Sequence, residues 1–95
     1  MALVRAVSFE DVDQGRLDQL AQDVEAGAGQ PEGVAATEII VLHDREAAKA
    51  LVLVFFEDEE DYSRADAVLG AMPSLETPGS RASVTKYVLA GRGTP

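Results

Sequence analysis

Few residues in this chain have side chains suited to chemistry. His43 is the sole histidine, and Asp44 follows it. An imidazole oriented by a carboxylate can serve as a general base near neutral pH. The plainer reading is a solvent-facing strand end before a turn, since adjacency in sequence establishes no geometry between side chains. That plainer reading is preferred. No metal site is expected, because one histidine and no cysteine leave only carboxylates as further ligands. The acidic run Glu57 to Asp61 lacks the alternating ligands and central glycine of a calcium loop. It reads as a helix start, where the helix dipole favours negative charge.

Arg5, Glu38 and Lys86 each interrupt an otherwise apolar segment. Charges in apolar surroundings are usually paired, or reach past the apolar layer to water. If these three share an inner face, they could instead line a cavity and bind an anionic ligand. Thr85 and Tyr87 alternate to the face opposite Lys86. Were that face the inner one, the Tyr87 phenol would be the better polar handle. The candidate ligand-binding residues are therefore Arg5, His43, Lys86 and Tyr87, and no residue is assigned a catalytic role. The sequence contains no glycine-rich dinucleotide loop, no phosphate-binding P-loop and no GxSxG elbow. No cofactor is expected.

The elements that must hold these residues can be read from periodicity. Strand character falls on Leu3 to Phe9, Val34 to His43, Ala50 to Glu57 and Ala82 to Ala90, all rich in branched and aromatic residues. Between the first two, Leu17, Leu20, Ala21 and Val24 make one apolar stripe at helical spacing. Asp11 with Gln14 suggests a capping-box start, and Gly27 and Gly29 suggest a stop. A second helix carries Tyr62, Ala65, Leu69 and Met72 as its stripe, with Asp58 as cap and Pro73 as terminator. Gln30 to Gly33 is turn chemistry, Asp44 to Ala48 is a hairpin link, and Pro73 to Arg81 is a loop. The order is βαββαβ, with residues 1–91 as one domain and 92–95 as a frayed tail.

The bulk numbers narrow the function classes. The 95 residues suffice for one domain, and the formal net charge is −9. Such a field disfavours nucleic acid and anionic membranes as partners. No apolar run approaches the length of a membrane span, and the N-terminus lacks a signal-peptide core. The expectation is a cytoplasmic protein.

The third strand does not alternate. Leu51, Leu53 and Phe55 point one way, while Val52, Val54 and Phe56 point the other. The second strand likewise has Ile39 and Val41 on one side and Ile40 and Leu42 on the other. Two helices cover one face of a four-stranded sheet. The second apolar face calls for a further cover, and a second copy packed sheet to sheet is the expected one.

The same order of elements resembles the dimeric α+β barrel superfamily, and in particular antibiotic-biosynthesis-monooxygenase-like domains. The resemblance runs through Pro31 to Val34 and Glu38 to Ile40, through Ala50 to Asp61, and through Thr85 to Val88. It implies a ferredoxin-like α+β fold, with a four-stranded antiparallel sheet, two helices on one face and homodimerisation through the sheet face. A sheet order of 4-1-3-2 would place Lys86 beside Arg5, with Glu38 two strands from Arg5. Family members include cofactor-independent monooxygenases acting on aromatic substrates, haem-degrading enzymes and decarboxylases. The oxygenases often use tryptophan, asparagine and histidine or arginine around an inner cavity, and this sequence has no tryptophan and no asparagine. The expected function is a small-molecule-binding or non-enzymatic dimer. The alternative is a monooxygenase-like enzyme acting on a small aromatic or apolar substrate.

Overall fold

A computed structural model describes residues 2–27, 33–71 and 77–94. The elements are β1 (Leu3–Glu10), α1 (Gln14–Glu25), β2 (Glu38–Asp44), β3 (Lys49–Phe56), α2 (Glu59–Gly70) and β4 (Ser80–Val88). The strands form one antiparallel sheet in the order β2-β3-β1-β4. This is the expected ferredoxin-like βαββαβ fold.

Both helices lie on one face. That face carries Leu3, Val7 and Phe9 of β1 with Val52, Val54 and Phe56 of β3. They pack with Leu17 of α1 and with Tyr62 and Ala65 of α2 into one buried cluster. Phe56 is wholly buried and meets Tyr62 edge-on, with ring centroids 5.6 Å apart. Burial of these side chains is the main stabilising term, at about 1.5–3 kcal/mol for each large one.

Local chemistry sets the boundaries. The α1 cap is Asp13, not Asp11. The Asp13 carboxylate accepts from the Arg16 amide at 3.0 Å, while Asp11 has a left-handed φ of 50° that no N-cap adopts. Gly27, with φ of 71°, follows the Ala26 C-cap in the conformation glycine allows at no steric cost. At α2 the Asp58 side chain accepts from the Asp61 amide as expected, with Glu59, Glu60 and Asp61 in the first turn. Gly29, the turn from Gln30 to Glu32, Met72 and Pro73 lie outside the described residues.

The second strand begins at Glu38 rather than Val34. Glu38 pairs with Phe55, and β3 ends one residue later where the chain turns into the α2 cap. Residues before Thr37 therefore have no ladder to join, and Val34 turns into the core instead. β3 and β4 begin one and two residues earlier than expected, and end one and two residues earlier.

Gly79 shows why the end of β1 and the start of β4 fit together. A Cβ there would lie 2.6 Å from the Glu10 carbonyl oxygen, so only glycine lets the two backbones approach. Just beyond, a register shift between Ser8 and Phe9 places Arg81 opposite Phe9. The Arg81 guanidinium then reaches the Leu69 and Gly70 carbonyls at the end of α2, at 3.2 and 3.4 Å. A cation there complements the helix dipole.

Candidate functional site

Strand alternation divides the polar side chains between two faces. Arg5 pairs in register with Lys86, and both point to the helix side. Arg5 is 4% exposed, and its Nε donates to Asp66 Oδ1 on α2 at 2.9 Å. Lys86 pairs with Glu59 at the start of the same helix. The Lys86 Nζ also stands 4.9 Å from the Tyr62 ring centroid, which is cation–π distance. Two cations on neighbouring strands would repel. The helix answers each with its own carboxylate.

Tyr62 is the centre of this cluster. Burial pushes its phenol above the ordinary tyrosine range. The Asp66 carboxylate adds to that rise, while the Arg5 and Lys86 charges oppose it. Its neutral hydroxyl is thus a hydrogen-bond donor at physiological pH.

The open face, away from the helices, carries a different set. Val4 lies between Tyr87 on β4 and Phe55 on β3, and Ala6 lies between Thr85 and Leu53. Ile40 and Leu42 of β2 extend the apolar area across Leu53 and Leu51. Leu42 and Tyr87 are about half exposed. Hydroxyls collect on the other half of this face. Ser83, Thr85 and Tyr87 stand at alternate positions of β4, and the Ser8 and Ser83 hydroxyls are bonded at 2.6 Å.

Glu38 is on the open face, because it pairs with Phe55. It therefore does not share a face with Arg5 and Lys86. Its partner is Arg92, which approaches to 2.6 Å and lies 5.0 Å from the Phe55 ring centroid. Just before Arg92, the Leu89 amide donates to the Ala2 carbonyl at 2.9 Å.

His43 and Asp44 do not form a dyad. Successive strand residues point to opposite faces, and Asp44 Oδ1 accepts from the Ala47 amide within the hairpin turn. Among the described residues, no cluster of histidine and carboxylate side chains could hold a metal ion.

The structure therefore brings Arg5 and Lys86 together and puts Tyr87 on the other face, with His43 apart at the β2 end. Sequence reasoning placed Tyr62 only in the core stripe and Glu59 only in the acidic helix start, and did not single out Asp66 or Arg92. A signal for the first three was present. Glu59, Tyr62 and Asp66 fall at i, i+3 and i+7, so two carboxylates lie along the apolar stripe of a helix.

No protein-family model matches the chain, and no curated protein matches it significantly. Among solved structures, a protein from Chloroflexus aurantiacus J-10-fl assigned as an antibiotic biosynthesis monooxygenase superimposes with a TM-score of 0.61. The superposition covers 99% of this chain and 98% of that one, at 14% sequence identity. The likeness is one of fold, over the whole length of both chains.

Proposed function

We propose that this protein is a homodimeric small-molecule-binding protein without catalytic apparatus, whose subunits meet through their open sheet faces. The observation that carries this reading is the composition of that face. In a chain of net charge −9, its centre holds apolar and hydroxyl side chains, and its Glu38 is neutralised by Arg92. Two such acidic chains can approach on this face without bringing uncompensated charge together. Covering Leu42, Leu51, Leu53 and Ile40 with the same surface of a second copy removes apolar area that monomers seldom expose.

The two halves of the face suggest what lies between the sheets. Apolar side chains of β2 and β3 would seal against the partner. Thr85 and Tyr87 would offer hydroxyls to a small, largely apolar molecule held beside them. Among the described residues, no histidine is paired with an orienting carboxylate. Native mass spectrometry of the protein purified from its own cells tests this. A dimer carrying a small molecule that is released with acid supports the reading. A monomer with no adduct contradicts it.

A further inference from the structure

Four side chains form one row across the open face. Glu38 of β2 pairs in register with Phe55 of β3, Phe55 with Val4 of β1, and Val4 with Tyr87 of β4. Phe55 and Val4 are each only 6% exposed, although they point away from both helices. Arg92 supplies part of their cover. Its guanidinium stacks over the Phe55 ring and bonds the Glu38 carboxylate at the same time. A planar guanidinium can make both contacts at once, which a compact ammonium does less well.

Arg92 belongs to no helix or strand. A Cβ on Gly91 or Gly93 beside it would meet nothing within 4 Å, so neither glycine is required by close packing. Among the described residues, the polar contacts that join residues 90–94 to the sheet are those of the Arg92 side chain. The other carboxylates of the open face lie elsewhere. Asp44 ends β2 opposite Lys49 in register, and Glu10 ends β1 beyond the register shift. Glu38 is thus the carboxylate set directly beside the Phe55 ring, and a residue from outside the sheet neutralises it.

We infer that Arg92 is the residue that makes the open face acceptable to a second copy of this chain. It cancels the Glu38 charge and covers the Phe55 end of the row. The inference rests on the reading that two open faces meet, and it names the residue that governs their meeting. A two-fold dimer brings both copies of Glu38 into the same interface, so an uncompensated carboxylate counts twice. Each chain already carries a net charge of −9, and like charges brought together across an interface oppose association.

The test compares the natural protein with Arg92→Gln and with the double variant Glu38→Gln/Arg92→Gln. Sedimentation velocity over a concentration series gives the dimer dissociation constant of each, and circular dichroism confirms folding. Arg92 is more than half exposed and lies outside every element, so its loss leaves the subunit folded. The expected result is that Arg92→Gln weakens the dimer by about tenfold, and that the double variant regains most of the loss. A dimer equally tight in Arg92→Gln overturns the inference while leaving the sheet-to-sheet reading intact. A weakening that the double variant does not relieve also overturns it, because charge compensation is then not what Arg92 supplies. A natural protein that is monomeric at every concentration overturns the reading itself, and the inference with it.

Discussion

Arg5 and Lys86 face each other across neighbouring strands, yet each is neutralised by a different carboxylate of one helix. The two contacts are unequal. Arg5 is almost fully buried, whereas its partner Asp66 is half exposed.

That inequality predicts asymmetric mutational costs. Asp66→Ala leaves a buried guanidinium without its acceptor and should destabilise by about 1–3 kcal/mol. Arg5→Met leaves only a half-exposed carboxylate, which water solvates, and should cost less than about 1 kcal/mol. Urea unfolding of the two variants measures both. Equal costs, or the reverse order, would show that the pair is not the reason Arg5 is tolerated in the core.

Tyr62 gives a pH prediction. Its folded-state pKa is raised, chiefly by burial. The stability it contributes is fully present below the ordinary tyrosine value of about 10 and is lost as pH rises through the folded value. The stability of the natural protein should therefore fall relative to Tyr62→Phe as pH climbs above about 10. Parallel stability curves for the two proteins in that window would contradict the burial of the phenol.

Two backbone positions make opposite predictions. Gly79→Ala drives a Cβ into the Glu10 carbonyl and should destabilise by about 1–3 kcal/mol. Ala48 has a left-handed φ of 53° at the β2–β3 hairpin, so Ala48→Gly should stabilise by about 1 kcal/mol. Thermal unfolding of both variants checks the signs. A harmless Gly79→Ala would mean that the ends of β1 and β4 are not in close apposition.

The fold was legible because its signals are local and repeated. The unbroken apolar run of β3 and the Asp58 cap of α2 both identify their elements without reference to the rest of the chain. Errors fell where a distant partner decides. Whether Val34 joins a strand depends on where β3 stops, and whether Asp11 or Asp13 caps α1 depends on φ at the end of β1. The site was less legible. Periodicity puts Lys86 and Tyr87 on opposite faces, but it does not say which face the helices take. Arg92 lies in a Gly-flanked segment without periodicity, so its contact with Glu38 and Phe55 had no local signature.

The central claim is that the open sheet face is covered by a second copy. Leu42 is half exposed on that face, so Leu42→Lys should leave the subunit folded while placing a charge in the interface. Sedimentation equilibrium at micromolar concentration, with circular dichroism to confirm folding, tests the claim most directly. The account predicts twice the 10.1 kDa chain mass for the natural protein and the single-chain mass for folded Leu42→Lys. A natural protein that sediments as a monomer, or a variant that remains a dimer, would contradict it.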